Sequence, residues 1–513
     1  MNRTSDTLLE AKRAFEAGDY DAAVRLLEQM IKLSPESAEL WHNLGQAHQR
    51  AKNLVRAADA FDKSAALDPN FAPPLNGLGM LSRLAGNWPL AQEYYIQALD
   101  RQPIFPEVYF NLGILTEEKG DHESARRHYE SALRQRPGYV KAQHNLAVLL
   151  MAYGNYDAVE SMLRDALARE PNSAELLTSL GSCLRNRGRL AEAEEAYLAA
   201  VAVSEKLFEA RWNLSLVQLA MGAYEEGWSH YRYRPSANRS LHILPEETLP
   251  SSLYGHRIVL EGEQGVGDEL FFLRFVPELM ARGADVYYVG DHRLSGIAAR
   301  ALPGLSDPAS LSNSGPHDVG ISIADLPYLL ESSEAPESLR ITPLEAHLAL
   351  VQQRLRSIGP PPYTGFTYRA GLKGEGALHK EVPLAELVSL LRERPGTLIN
   401  LQRGLNIKEL QDLETHFHDK VLGVVGDDPD LETMTAVMAC LDEYIGVSNT
   451  NMHLRAAVGK SGRVLVPHPA DYKWMAAGQS PWFPEFKVYR QSVDGGWGAA
   501  FATLLLDLSE TNG

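Results

Sequence analysis

The sequence predicts a helical repeat solenoid followed by a two-lobed α/β region. Three features of the chain predict it. Prolines recur through the first half at Pro35, Pro69, Pro103, Pro137 and Pro171, each 34 residues after the one before. Past residue 250 the pattern changes to short strand-like runs alternating with helical ones, the order that builds a parallel sheet with helices on both faces. The length of 513 residues exceeds what one hydrophobic core serves, so more than one folded region is expected.

Hydrophobic residues make up 45% of the chain and charged residues 22%, ordinary proportions for a globular protein. No apolar run is long enough to span a bilayer and no basic-then-apolar leader opens the chain, so a cytoplasmic protein without membrane insertion is expected. Two cysteines, Cys183 and Cys440, exclude a disulfide framework or a cysteine-rich metal site. His416 and His418 have no third ligand nearby in sequence, so metal-free chemistry is expected. A net charge of −17 opposes non-specific nucleic-acid binding but leaves room for a local basic pocket that takes a phosphate.

The 34-residue period is that of the tetratricopeptide repeat. Other positions keep phase with the prolines. Trp41, Leu44 and Gly45 open one unit, and Ala57 and Phe61 sit in its second helix. Gly79, Ala91 and Tyr95 follow, then Gly113, Ala125 and Tyr129, then Ala147 and Leu163, then Gly181, Ala193 and Tyr197. Each unit reads as two antiparallel helices. Small residues let them approach, large ones fill the space between neighbours, and the proline ends the second helix. Six repeats plus a degenerate seventh fill residues 4–234. The inner groove of such an array is lined by first helices, where Asn43, Asn111, Asn145 and Asn213 recur. These amides could hydrogen-bond an extended peptide of an acceptor protein, or asparagine is simply common at this position.

Residues 235–250 break the period and read as a linker. A first lobe is expected over 251–359, with strands at 257–262, 284–289 and 318–323. The triple proline 360–362 reads as a stiff hinge. A second lobe over 360–513 then shows strands near 363–368, 397–401, 421–424, 443–447 and 463–466. Two such lobes would place a ligand cleft between the carboxyl ends of their sheets.

Four segments could carry chemistry. Gly262-Glu263-Gln264-Gly265-Val266-Gly267-Asp268-Glu269 lies between a strand and a helix, where Gly265 and Gly267 permit a tight turn and close approach of a ligand. Spacing alone favours a glycine turn with Asp268 capping the helix and with Glu263 and Glu269 solvated or capping. Ser448-Asn449-Thr450-Asn451-Met452-His453 ends a strand and opens a helix, an arrangement suited to phosphate; its polar residues exceed what one cap needs. Arg369, Lys380, Gln402 and Arg403 follow strands of the second lobe, and their cations could neutralise a pyrophosphate. The aromatic tail around Tyr472, Trp474, Trp482, Phe483, Tyr489 and Trp497 either walls a nucleotide pocket or docks the C-terminal helix.

The first half resembles tetratricopeptide proteins. The segments GEQGVGDELFF, GVSNTNMHLRAAVG, VPHPADYKWM and SPWFPEFKVYRQ resemble the GT-B glycosyltransferases of the heptosyltransferase-like group. The combination is similar to bacterial repeat-containing protein glycosyltransferases, including those that modify flagellin, and more distantly to O-linked N-acetylglucosamine transferases. The resemblance implies an α + α/β chain: a tetratricopeptide solenoid followed by a GT-B pair of Rossmann-like lobes. It implies an inverting protein O-glycosyltransferase with no cofactor beyond its nucleotide-sugar donor. Asp268 matches the family's acceptor-side carboxylate and would be the general base. The family's Asp-Thr-x-x-x-His donor turn reads Ser448-Asn449-Thr450-Asn451-Met452-His453 here, with Ser-Asn in place of Asp. Arg369, Lys380 and Arg403 would steady the leaving phosphate. The flagellin-modifying relatives suggest a nonulosonic acid such as pseudaminic acid on CMP as donor and flagellin as acceptor. The missing Asp keeps a second expectation open, a non-catalytic scaffold with a degenerate nucleotide-binding domain.

Overall fold

Seven helical hairpins form the first part of the chain, in a computed structural model that describes residues 2–236, 249, 251–310, 318–370, 380–405, 407–417, 422–424 and 430–510. The hairpins are α1 (Asn2–Glu16) with α2 (Tyr20–Leu33), α3 (Ala38–Arg50) with α4 (Leu54–Leu67), α5 (Pro73–Leu84) with α6 (Trp88–Arg101), and α7 (Pro106–Glu118) with α8 (His122–Gln135). They continue as α9 (Val140–Ala152) with α10 (Tyr156–Arg169), α11 (Ala174–Asn186) with α12 (Leu190–Val203), and α13 (Phe208–Met221) with α14 (Tyr224–Tyr231). In each hairpin one residue of the turn has a left-handed backbone. It is Gly18, Gly86, Gly120, Gly154, Gly188 and Gly222 in six hairpins and Lys52, at φ 62°, in the second. Only glycine adopts that conformation without a Cβ penalty, which explains the residue chosen at this 34-residue position.

The helices of a hairpin meet through one matched pair. The Tyr95 ring lies on Gly79 so closely that a Cβ there would be 2.4 Å from the ring, and Tyr129 lies likewise on Gly113 and Tyr197 on Gly181. In the fifth hairpin the equivalent buried pair is Ala147 with Leu163, and in the first Ala11 with Leu27. A larger residue on one helix goes with a smaller one on its partner, so the volume between helices stays constant.

The α/β part holds two parallel sheets. The first has three strands, β1 (Arg257–Glu261), β2 (Asp285–Val289) and β3 (Asp318–Ser322), in the order β2-β1-β3. Its helices include α15 (Val266–Phe272), α16 (Val276–Ala281), α17 (Ser295–Ala301) and α18 (Leu326–Leu329). After α19 (Glu345–Ile358) comes the second sheet. It comprises β4 (Tyr363–Phe366), β5 (Thr397–Asn400), β6 (Leu422–Val424), β7 (Glu443–Val447), β8 (Gly462–Val466) and β9 (Phe486–Arg490), in the order β6-β5-β4-β7-β8-β9. Around it lie α20 (Leu384–Arg392), α21 (Ile407–His416), α22 (Leu431–Cys440), α23 (Thr450–Ala457) and α24 (Gly498–Glu510). The strand order reverses between β4 and β7, the switch point at which ligands of open α/β sheets bind.

Three expectations need correction. The chain divides into two compact units, Met1–Leu180 and Gly181–Gly513, rather than at the expected linker and hinge. One hydrophobic core runs from Leu219, Trp228 and Tyr231 of the last hairpin through both sheets to Phe486, because the aromatic side chains of α14 continue the packing of α15. Residues 360–362 do not separate the lobes: α19 precedes them and already packs on α22 of the second sheet, through Val351 and Leu355. Most of the expected linker, 237–248 and 250, lies outside the described residues, as does His418. The strand Phe486–Arg490 was hidden in the aromatic tail, whose side chains pack elsewhere than expected. Tyr472, Trp474, Trp482 and Phe483 are buried in the shared core, and only Tyr489 and Trp497 join Phe501 and Leu508 of α24.

Candidate functional site

The loop from β1 to α15 is shaped by close contacts. A Cβ on Gly262 would lie 2.4 Å from Glu269 Oε2, and Gln264 has a left-handed backbone at φ 73°. Gly265 caps α15 through its backbone, so Asp268 in the first turn does not cap the helix. Its carboxylate pairs with Lys473, which arrives from the loop after β8. Glu269 and Glu263, expected to be solvated or capping, are instead bonded within the fold, Glu269 buried and Glu263 half-buried. Glu269 Oε2 accepts from Tyr288 and from the Asp291 amide at 3.0 Å, and Glu263 is held by Arg234.

Lys473 is nearly inaccessible at 6% side-chain exposure, whereas Asp268 keeps 33%. On its other side stands Asp471, whose Oδ1 accepts the Lys473 amide at 3.1 Å and whose Oδ2 accepts Lys380 Nζ at 2.9 Å. The result is a row of alternating charge, Lys380, Asp471, Lys473, Asp268. Burial by itself would raise the Asp471 carboxyl, but Lys380 and Lys473 hold it far below the ordinary carboxylate range. Burial would lower the Lys473 ammonium, and Asp268 and Asp471 more than reverse this, so it stays charged.

The start of α23 faces the start of α15. A Cβ on Gly267 would lie 3.3 Å from Thr450 Oγ1 and 3.5 Å from His453 Cδ2. Asn449 is the N-cap: its Oδ1 accepts from the Asn451 amide at 3.0 Å and its Nδ2 donates to Thr367 Oγ1 at 3.0 Å, closing the β4–β7 switch point. Ser448 and Asn451 are buried. His453 lies between the rings of Phe271 and Phe483. Burial first, then Lys473 and Arg274, push its pKa well below 6.5, so the imidazole is neutral; Nδ1 has no hydrogen-bond partner among the described residues.

The structure thus gathers Gly265, Gly267, Asp268, Thr450, His453 and Lys380 around one seam between the sheets. Beside Gly267 the first turns of α15 and α23 touch, and Leu270, Met452 and Leu454 are buried in the shared core. Other expected residues stand apart. Arg369 is tied to Glu409 at 2.7 Å and to the Gly404 carbonyl at 2.7 Å, so its guanidinium braces the loop after β5. Gln402 accepts from the amides of Tyr368 and Arg369, and Arg403 is exposed. The asparagine ladder is partly used within the array: Asn111 donates to Asn76 at 2.7 Å and Asn145 to Tyr129 at 3.2 Å, whereas Asn43 and Asn213 are half-buried. Lys473 and Asp471 were missed. The signal was an Asp-x-Lys in the loop after β8, masked by its aromatic neighbours.

Family descriptions of the tetratricopeptide repeat match residues 8–70, 79–140, 117–183 and 173–211. Residues 8–211 are tetratricopeptide repeats. Repeats of this kind commonly bind peptide or protein partners. Among curated proteins, Protein FlbA of Caulobacter vibrioides is 25% identical over 335 residues, covering 59% of this chain. The chain spans 55% of that relative's length. Among solved structures, a tetratricopeptide repeat protein from Parabacteroides merdae has a TM-score of 0.36 at 18% identity, over 45% of this chain and 91% of its own. YrrB, described as a TPR protein with an unusual peptide-binding site, has a TM-score of 0.28 at 18% identity, over 36% of this chain and 95% of its own. Among the described residues, no helix is long and apolar enough to cross a membrane.

Proposed function

We propose that this chain is a metal-independent, inverting protein O-glycosyltransferase whose repeats hold the acceptor protein and whose α/β part binds a nucleotide sugar. One observation carries the reading: a part-exposed carboxylate, Asp268, and a buried cation, Lys473, sit side by side where the first turns of α15 and α23 meet. In the proposed reaction a Ser or Thr hydroxyl of the acceptor attacks the anomeric carbon, its proton passes to Asp268, and the bond from that carbon to the phosphate breaks. Lys473, Lys380 and the amides at the start of α23 take up the charge that builds on the phosphate. The donor phosphate competes with Asp268 for Lys473, and its arrival frees the carboxylate to act as a base. The donor approaches along the part-exposed edge at Asp268. A nonulosonic acid such as pseudaminic acid on CMP, and flagellin as acceptor, are the pair that the resemblance suggests.

Calorimetric titration with CMP and UDP tests donor binding, and intact-mass analysis of flagellin co-expressed with this chain tests transfer. Saturable binding of one nucleotide and a mass gain of one sugar are expected. A second reading, a scaffold without turnover, is favoured by the same ion pair, because Lys473 already neutralises Asp268. No binding of either nucleotide and an unmodified acceptor would establish the scaffold.

A further inference from the structure

We propose that Arg234 is a positioning residue: the end of the repeat array, through Arg234 and Tyr231, sets the loop from Gly262 to Gly267 and so the place of Asp268. The role assigned to Asp268 rests on the function proposed above; the coupling of helix to loop does not. Arg234 follows α14 and its side chain is fully buried. Nε donates to Glu263 Oε1 at 2.6 Å, Nη1 to Asp325 Oδ1 at 2.5 Å and Nη2 to Ser322 Oγ at 3.0 Å. Nη2 also reaches Glu263 Oε2. One guanidinium therefore joins the segment after β1 to the end of β3 and the turn beyond it.

Tyr231 adds a second tie, accepting from Gln264 Nε2 at 3.2 Å. Gln264 is the residue whose left-handed backbone bends the loop, a conformation costly for a side chain with a Cβ and kept only where its surroundings impose it. Asp268 lies four residues further on. Glu263 and Asp325 stand against a single guanidinium in a buried place, so the fork geometry matters and an ammonium, a compact charge, does not replace it. β2 lies on the far side of β1 from β3, and the bonds of Arg234 among the described residues go to Glu263, Ser322, Asp325 and Tyr231. A purely structural role would loosen the sheet as a whole. A positioning role loosens the loop.

The test compares the full chain with Arg234→Lys, and with the variant Arg234→Met, Glu263→Gln, Asp325→Asn, which leaves no buried charge unpaired. Hydrogen exchange is followed in peptides covering 262–268 and, as internal references, 285–289 and 397–400. Exchange at 262–268 is expected to rise at least about tenfold in both variants while the references stay within about twofold. Unchanged exchange at 262–268, or an equal rise in all three peptides, overturns the proposal. Transfer is measured alongside. A wild-type chain that neither binds nucleotide nor transfers sugar removes the glycosyltransferase reading and leaves the exchange result to decide this one.

Discussion

Lys473 is a buried cation held on two sides. It lies between two carboxylates, and one of them, Asp471, is itself paired with Lys380. Removing it separates what it does for each neighbour. Lys473→Gln leaves Asp268 without a counter-charge at a part-exposed position and Asp471 with Lys380 alone. A charge-assisted bond to phosphate contributes about 1.5–3 kcal/mol, so the variant is expected to bind nucleotide about 10- to 100-fold more weakly, read by calorimetry. Asp268→Asn should act in the other direction on binding. It frees Lys473 from its partner, so nucleotide affinity holds or rises, while transfer falls by roughly 10²- to 10⁴-fold, the usual worth of a general base. Affinity that falls in parallel with turnover in Asp268→Asn would show that the carboxylate organises the site rather than receiving the proton.

Within the hairpins, packing is decided by pairs that the period brings into register. Gly79→Ala drives a Cβ to 2.4 Å from the Tyr95 ring, so ring or helix must shift. Overpacking of this kind costs about 1–3 kcal/mol, measured as a lowered denaturation midpoint. The pair Gly79→Ala with Tyr95→Leu recreates the Ala-with-Leu combination of the first and fifth hairpins and should recover most of the loss, a coupling that a double-mutant cycle reads directly. Lys52→Gly tests the turn: it releases a left-handed lysine and is expected to stabilise by about 1 kcal/mol. These elements were legible because their cause is local. The prolines, the glycine facing an aromatic residue and the strand-helix alternation all act within about 40 residues. The site was legible only in halves. Asp268 and Thr450 could be found as helix starts, but Lys473 meets Asp268 across 205 residues and Arg234 meets Asp325 across 91, and no periodicity marks either partner. Arg369 misled for the same reason: its place after β4 was right, and the Glu409 that ties it comes from a helix forty residues later.

At the scale of the molecule, pH reaches the first compact unit, Met1–Leu180, through a half-buried imidazole. His42 on α3 packs on the rings of Phe61 and Phe71, and burial lowers its pKa from 6.5 to about 4. Its Nδ1 has no partner among the described residues. His48, one and a half turns further along the same helix, is lowered in the same direction, by burial first and then by Arg56, with Glu28 opposing. Its ring partners among the described residues, Phe61 and Phe71, carry no charge, and burial is what lowers it. The folded form therefore binds its proton more weakly than the unfolded chain. Its contribution is fully present above pH 6.5 and is lost as pH falls from 6.5 towards 4, because the unfolded state takes up protons first. The lowering from 6.5 to about 4 sets a ceiling of roughly 3.4 kcal/mol for this one residue. Hydrogen exchange in peptides spanning 38–67 is the measure, since it follows this hairpin and not the whole chain. Its protection is expected to weaken between pH 6.5 and 4 beyond the intrinsic change in exchange rate. His42→Phe, which keeps an aromatic ring against Phe61 and removes the titrating group, should abolish most of that dependence and leave the remainder carried by His48. An equal pH dependence in wild type and His42→Phe would move the cause elsewhere, to the carboxylates that titrate over the lower part of the same interval.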